Sequence, residues 1–175
     1  MPRSRVMVLI GAIATLLLSA VAVAPTAAAQ DAFPEGFFYI RNVHSGLVVD
    51  IKDGSTAEGA RAIVWDRKSS DSANQLWRYD RGFLVNKNSG LVLEVVGHEG
   101  GGSIAPGTPV AQARKRERPK SLNQQWAYNR EMLMPYDPDV ALSARDGNFA
   151  AGTEVVVDTT QMGDPRQEWM FDTAE

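Results

Sequence analysis

The chain of 175 residues contains no cysteine and only two histidines, His44 and His98. Without cysteine there are no disulfide bonds, so a stable domain must be held together by its buried apolar core. The chain also lacks the ligand spacings of zinc sites, the Gly-x-Ser-x-Gly elbow of serine hydrolases and the lysine-containing glycine loop that binds phosphates. We therefore expect no metal site, no cofactor and no catalytic residues.

Basic residues do not dominate the charge. The formal net charge is −3, and it becomes −5 if Arg3 and Arg5 are removed with a leader. This balance argues against a general nucleic-acid-binding protein. The densest basic run, residues 114–120, is interrupted by Glu117 and Pro119, which favours a solvated loop over an anion-binding surface.

The first 29 residues have the composition of a secretory signal peptide. Arg3 and Arg5 precede an almost wholly apolar run at residues 6–24, and residues 27–29 offer a small-residue cleavage site. A membrane anchor is the alternative, because the run is about long enough to span a bilayer. Pro25 and the absence of a basic stop-transfer flank favour cleavage. We expect a secreted protein with no membrane span after cleavage.

One tripeptide, Gln-x-Trp, occurs three times at nearly even spacing. Its tryptophans are 49 and then 43 residues apart. The segments before it also match, since residues 42–50 align with residues 86–94, and residues 140–143 are a shortened third copy. Such self-similarity indicates a repeat architecture. The three copies are Gln75-Leu76-Trp77, Gln124-Gln125-Trp126 and Gln167-Glu168-Trp169.

Helical spacing of apolar residues is scarce after Gln30, and short runs typical of β-strands occur instead. Each run is bounded by Gly, Asn, Asp or Ser, which is typical of an all-β protein. Four strands in each repeat would give about twelve in all. The runs cover residues 37–40, 47–51, 62–65, 76–79, 83–85, 91–96, 155–157 and 169–171.

Three four-stranded units that each end in Gln-x-Trp resemble the ricin B-type lectin domain, a β-trefoil. The resemblance covers residues 30–175, with repeats at about residues 37–80, 81–130 and 131–174. It implies that each repeat gives two strands to a short barrel and two to a capping hairpin, which removes exposed strand edges. It also implies structural roles, Trp in the core and Gln holding local backbone, for Gln75, Trp77, Gln124, Trp126, Gln167 and Trp169.

Asp50, Trp65 and Asn74 in the first repeat occupy the positions that form the sugar pocket in this family. Their chemistry suits a sugar. A carboxylate accepts strong hydrogen bonds from hydroxyls, and an amide both donates and accepts, so Asn74 could share one hydroxyl with Asp50. An indole offers a flat apolar face to sugar C–H groups. The resemblance implies three binding groups on the surface.

Strand alternation bears on the position of Trp65. If Ala62 and Val64 point inward, Ile63 and Trp65 point to solvent. The alternative places Trp65 in the core and leaves Asp50 as an ordinary turn residue. The family often has a polar residue, typically Gln, at the position of Ile63, so this departure removes a hydrogen bond and could change which sugar is preferred.

The other two repeats have lost parts of this set. The second keeps an acid and an amide but has no aromatic residue, and the third lacks all three groups. The replacements are Glu94, Ala113 and Asn123 in the second repeat, and Ser143, Asp158 or Val157, and Arg166 in the third.

The expected function is therefore a secreted lectin-like domain with one carbohydrate site, for which the resemblance implies galactose-type sugars. The alternative is a protein-binding trefoil, such as a secreted hydrolase inhibitor, acting through residues 100–109 or 114–120. Paired carboxylates could also hydrolyse a glycoside, but the sequence places no two acids face to face. An enzyme is thus the least favoured interpretation.

The leader yields a testable prediction. Cleavage at the alanine cluster should give a mature protein that begins at Ala29 or Gln30, within about two residues. Intact-mass measurement of secreted material tests this position. Recovery of the uncleaved chain from the membrane fraction would contradict it.

Overall fold

Short strands separated by turns make up the described chain. The computed structural model describes residues 33–174, so the predicted signal peptide lies outside the described residues. The twelve strands within this range are β1 (Phe38–Asn42), β2 (Val48–Ile51), β3 (Ala62–Trp65), β4 (Leu76–Asp80), β5 (Phe83–Asn86), β6 (Val92–Val95), β7 (Thr108–Ala113), β8 (Ala127–Asn129), β9 (Met132–Met134), β10 (Val140–Ala144), β11 (Val155–Thr159) and β12 (Trp169–Thr173).

Helical structure in the described range is limited to four single turns of 3₁₀ helix: Lys52–Gly54, Ala73–Gln75, Leu122–Gln124 and Arg145–Gly147. None of the helices between residues 33 and 174 is long and apolar enough to cross a membrane. The all-β class predicted from the sequence is confirmed, and each predicted run coincides with a strand to within a residue or two.

Six strands form a barrel. β1 pairs with both β4 and β12, β4 pairs with β5, and β8 pairs with β9. Two further backbone hydrogen bonds complete the ring. The Trp126 N–H donates to the Gly82 carbonyl at 2.8 Å between β8 and β5, and the Trp169 N–H donates to the Glu131 carbonyl at 2.7 Å between β12 and β9. The circuit leaves no free barrel edge.

Three hairpins, β2–β3, β6–β7 and β10–β11, cap one end of the barrel. Each hairpin contacts the other two. Antiparallel backbone pairing joins Val156 to Pro109 between the third and second hairpins. Isolated β-bridges join Ile63 to Glu154 and Arg61 to Ala111. The result is the three-fold arrangement of a β-trefoil, and side chains from different repeats meet where the hairpins touch.

The Gln-x-Trp tryptophans lie at equivalent positions in the core. Trp77, Trp126 and Trp169 are 0%, 3% and 0% exposed. Each indole N–H donates to a backbone carbonyl of the second strand of its own repeat, at 3.2 Å to Val49, 2.9 Å to Leu93 and 2.9 Å to Leu142. Each tryptophan thus fills the core and ties the barrel to its own hairpin.

The glutamines of the tripeptide hold the loop that follows each hairpin. All three are fully buried. Their Oε1 atoms accept from the backbone N–H groups of Lys68, Arg116 and Gln161, each at 2.9 Å. Their Nε2 groups donate to the carbonyls of Asp66, Arg114 and Thr159 at 2.8, 2.9 and 2.8 Å. These bonds place the side chains that the loops carry.

Aromatic residues fill the open end of the barrel. Tyr79, Tyr128 and Phe171 each lie two residues after a Gln-x-Trp tryptophan, and Phe33 packs against all three. The Phe33 ring stacks on Tyr79 with centroids 3.9 Å apart and lies 5.1 Å from Phe171. The segment before the first repeat therefore contributes a partly buried aromatic residue that packs against the core, a role that the repeat pattern does not predict.

A core substitution tests whether the repeats form one packed unit. Trp126→Ala should lower the free energy of unfolding by about 3–5 kcal/mol, because it leaves a large cavity and removes the bond to Leu93. Denaturant-induced unfolding measures the change. Trp65→Ala is the control, since that indole is 40% exposed and should cost much less. An unchanged midpoint for Trp126→Ala would contradict a single shared core.

Candidate functional site

Asp50 lies in β2 and is nearly inaccessible, with 2% of its surface exposed. Its Oδ1 accepts a hydrogen bond from Asn74 Nδ2 at 2.8 Å, and its Oδ2 accepts one from Gln75 Nε2 at 2.9 Å. The Lys68 ammonium is 3.4 Å from Oδ2. A carboxylate has about four lone-pair positions. Three donors leave one position, on Oδ1, for a ligand hydroxyl.

Asn74 is also buried, with 2% of its surface exposed. Its two amide hydrogens go to Asp50 and to the Ile51 carbonyl, the latter at 2.9 Å, and its Oδ1 accepts from Lys68 Nζ at 2.8 Å. The expectation that Asp50 and Asn74 lie on the surface is wrong, because the hairpin folds over the loop that carries Asn74. Both amide hydrogens are used within the protein, so Asn74 holds Asp50 and Lys68 in place, and its Oδ1 keeps one lone pair as its remaining polar capacity.

Trp65 ends β3 with its indole 40% exposed, which excludes the alternative that it lies in the core. Ile63, expected on the same solvent face, is only 4% exposed. The third repeat covers Ile63, since it pairs with Glu154. Alternation therefore predicts the direction of Trp65 correctly but not the environment of Ile63.

The third repeat also builds one wall beside Trp65. The Gly152 N–H donates to the Val64 carbonyl at 2.7 Å, and the Val64 N–H donates to the Thr153 carbonyl at 2.8 Å. Gly152 has a φ of +92°, and a Cβ on it would lie 3.4 Å from Cζ3 of Trp65. A glycine here allows the backbone to approach the indole closely.

Asp50 and Trp65 open onto a cleft of about 290 Å³. The indole and Ile63 form an apolar wall, and the carboxylate and Lys68 form a polar base. The remaining lining residues are Lys52, Asp53 and Gly152. Among residues 33–174, no group of three or more histidine, aspartate and glutamate side chains could hold a metal ion. The cleft is suited to a neutral ligand with hydroxyls on one side and an apolar patch on another.

Sequence reasoning missed Lys68. Its backbone N–H is fixed by Gln75, and its ammonium donates to Asn74 and pairs with Asp50. An ammonium has three donors, so one remains for a ligand in the cleft. The matching residues, Arg116 and Gln161, lie at different distances before their own glutamines. The linear sequence therefore did not align these three positions.

Burial is the main influence on the Asp50 carboxyl and raises its pKa above the ordinary value of 3.8. The hydrogen bonds from Gln75 and Asn74 and the charge and hydrogen bond of Lys68 act in the opposite direction. Desolvation destabilises the charged form, whereas donors and a nearby cation stabilise it.

The equivalent position in the second repeat is occupied by the protein's own side chains. Glu94 Oε2 accepts from Gln124 Nε2 at 2.8 Å and from the Arg116 guanidinium. Strand register aligns Trp65 with Ala113, since they pair with Val48 and Val92. An acid neutralised by arginine, without an aromatic platform, offers little to a sugar.

The third repeat lacks the acid. Ser143 is fully buried at the position of Asp50. Asp158 pairs with Ala141 across β10 and β11, which places it rather than Val157 at the position of Trp65. Its carboxylate forms an ion pair of 3.1 Å with Arg166. The register resolves the alternative that the sequence left open.

Comparison with known proteins agrees with this architecture. The model of the ricin-type beta-trefoil lectin domain matches residues 36–169. The chain belongs to this family. The matched residues contain all three Gln-x-Trp copies. The family match supports carbohydrate binding as the general type of function.

Individual relatives cover different shares of the chain. Mucoricin from Rhizopus delemar is 45% identical over 58 residues, which are 33% of this chain and 40% of Mucoricin. The solution structure of the mdaA-1 domain is 27% identical with a TM-score of 0.69, covering 81% of this chain and 92% of that one. The designed three-fold symmetric protein ThreeFoil is 25% identical with a TM-score of 0.67, covering 80% and 100%.

A carboxyl titration tests the environment of Asp50. Its native pKa should exceed 3.8. Since the native state then holds the proton more tightly than the unfolded chain, the stabilisation due to Asp50 is fully present below this pH and is lost as pH rises through the native pKa. Carboxyl-carbon NMR measures the midpoint. Lys68→Met should raise it further, because it removes the opposing cation.

Lys52→Met is the matched control, since Lys52 lines the same cleft but its ammonium makes no ion pair with Asp50. It should leave the titration midpoint nearly unchanged. A midpoint at or below the ordinary value, or no response to Lys68→Met, would contradict the described arrangement.

Proposed function

We propose that this protein is a secreted lectin that binds one sugar in the cleft of its first repeat. The observation that carries the proposal is the exposed Trp65 indole standing beside the buried Asp50 carboxylate, which retains an accepting position. The family membership supports carbohydrate as the ligand class, and the predicted leader supports secretion.

Each group in the cleft has a separate task. A sugar hydroxyl donates to Oδ1 of Asp50 and accepts from the remaining hydrogen of the Lys68 ammonium. Hydrogen bonds to charged groups are the stronger kind. A C–H face of the ring packs on Trp65. Asn74 and Gln75 hold the carboxylate in place so that little ordering is needed on binding.

Galactose-type sugars are the proposed ligands. The axial hydroxyl of galactose leaves C–H groups together on one ring face, which matches a flat indole, and the family resemblance points to the same class. Ile63 supplies an apolar wall where the family often has a polar residue, so we expect specificity to depend mainly on hydroxyls near Asp50 and Lys68.

A single site fits the condition of the other repeats. Arg116 neutralises Glu94, and Ser143 cannot replace a carboxylate. One shallow pocket should bind a monosaccharide with an affinity near millimolar, or about −4 kcal/mol. Strong retention on a glycan surface would then require several copies of the domain. The proposed role is binding without catalysis.

Calorimetric titration with galactose and galactose-terminated glycans tests the proposal. Trp65→Ala, Asp50→Asn and Lys68→Met should each weaken binding about tenfold or more, because each removes a stacking face, a charged acceptor or a donor. Asp50→Asn preserves side-chain size, and circular dichroism checks that each variant folds.

Controls come from the same chain. Met170→Ala is matched to Trp65→Ala, since Met170 is 41% exposed and lies on the barrel. Glu94→Ala and Ser143→Ala alter the equivalent positions in the other repeats. All three should retain binding. If Glu94→Ala lost binding and Asp50→Asn kept it, the site would lie in the second repeat and the proposal would be contradicted. No binding to any glycan, with tight inhibition of a hydrolase, would favour the inhibitor function.

A further inference from the structure

The first and second repeats contain equivalent clefts that share no lining residue with the Trp65 cleft. Tyr39 and Phe83 each lie three residues before a matched asparagine, Asn42 or Asn86. Ser72 and Ser121 each lie three residues before the glutamine of a Gln-x-Trp tripeptide. In both repeats a basic side chain lies over the aromatic ring, Arg67 over Tyr39 at 4.1 Å and Lys115 over Phe83 at 4.2 Å.

The two clefts differ by one hydroxyl. In the first repeat, Tyr39 Oη donates to Ser72 Oγ at 3.0 Å. Phe83 has no hydroxyl, and Ser121 Oγ is buried without a hydrogen-bond partner among residues 33–174. Ser121 is only 1% exposed. Buried polar groups normally have partners, so an unsatisfied one requires an explanation.

Ser121 lines a cleft of about 340 Å³ whose wall contains several basic side chains. Phe83 and Gln125 line the same cleft, as do Arg81, Lys115 and Arg118. The unpartnered hydroxyl thus belongs to a residue in the wall of this cavity, although the oxygen itself is almost fully buried. A hydroxyl is a good donor to an oxyanion, particularly beside positive side chains.

The cations in this cleft are incompletely neutralised. Arg81 and Lys115 share one acid, Asp80, at 3.1 and 3.5 Å. Arg118 makes no ion pair with any described residue, and Glu117 is the one acid among the lining residues. Arg116 is engaged with Glu94 and contributes no free charge. The cleft thus carries excess positive charge although the chain as a whole is acidic.

We propose that this second cleft binds the anionic group of an acidic sugar, either a sulfate ester or a carboxylate. Ser121 donates to one anion oxygen, and Arg118 and Lys115 supply the charge. The anion site stands on its own observations, whereas its attachment to a glycan rests on the proposed function. In the first-repeat cleft the Tyr39 hydroxyl lies 3.0 Å from Ser72 Oγ, in the place that the anion oxygen takes beside Ser121 in the second cleft.

One substitution tests whether the second cleft binds an anion because it lacks the tyrosine hydroxyl of the first. Phe83→Tyr adds the hydroxyl that the first repeat has, so it should place an oxygen beside Ser121 Oγ where the anion oxygen would bind and thereby close the site. NMR titration with sodium sulfate, against sodium chloride at equal ionic strength, should perturb residues 115–121 in the native protein. Phe83→Tyr should abolish this response without lowering the melting temperature. Tyr39→Phe, which leaves Ser72 unpartnered in the first repeat, should not change the response at residues 115–121.

Charge variants separate a specific site from general attraction. Arg118→Gln should weaken sulfate binding about tenfold, since it removes a charge-assisted contact. Arg114→Gln is the matched control, because Arg114 lies in the same loop, is highly exposed, pairs with Glu58 and does not line the cleft. It should have little effect. Glu117→Gln should strengthen binding by removing the repelling acid.

The same NMR titration is repeated with galactose 6-sulfate, galacturonate and neutral galactose to test whether the ligand is an acidic sugar. Either acidic sugar should bind the second cleft more tightly than inorganic sulfate or acetate, and Trp65→Ala should not affect the shifts at residues 115–121. No response to sulfate beyond the chloride control, or a response that survives Phe83→Tyr and Arg118→Gln, would overturn the anion site. A sulfate response with no preference for either acidic sugar would overturn its assignment to glycans, independently of the Trp65 site.

Discussion

The hydrogen bonds of the buried Gln-x-Trp glutamines are the constraint on which the rest of the structure depends. Each glutamine accepts from one backbone N–H and donates to a nearby carbonyl of the same loop. The tryptophan two residues later ties the hairpin to the barrel through its indole N–H. Without disulfides, these bonds hold long connections at the edge of the core, where apolar packing alone would not specify their path.

The same glutamine hydrogen bonds also position the acid of the candidate site. Gln75 Nε2 donates to Asp50 as well as to backbone, and Gln124 does the same for Glu94. In the third repeat Ser143 stands in place of the acid, and Gln167 donates only to carbonyls, those of Asp158 and Thr159. A buried carboxylate needs donors, and a structural glutamine supplies one. The repeats therefore differ in function while they keep the same framework.

Much of the fold could be predicted from the sequence because its signals are local or repeated. Runs such as residues 62–65 combine β-branched residues with bounding turns, and the Gln-x-Trp copies indicate the three-fold repeat. Four strands, β7 to β10, are missing from the predicted runs. β8 and β9 have only three residues each, and their turn contains Arg130 and Glu131 with positive φ. Phe33 escaped because it lies outside the repeat and gains its role from aromatic residues of all three units.

The sequence by itself determined the repeat framework, the all-β class and the candidacy of Asp50 and Trp65, because those depend on residue type at matching positions. Only the tertiary structure decided that Asn74 is a buried support, that Lys68 lines the cleft and that Gly152 flanks the indole. It also decided that Tyr39 donates to Ser72 Oγ while Ser121 Oγ has no such partner among the described residues. These properties arise where loops and hairpins from different parts of the chain meet, and burial there sets which donors and acceptors remain available to a ligand.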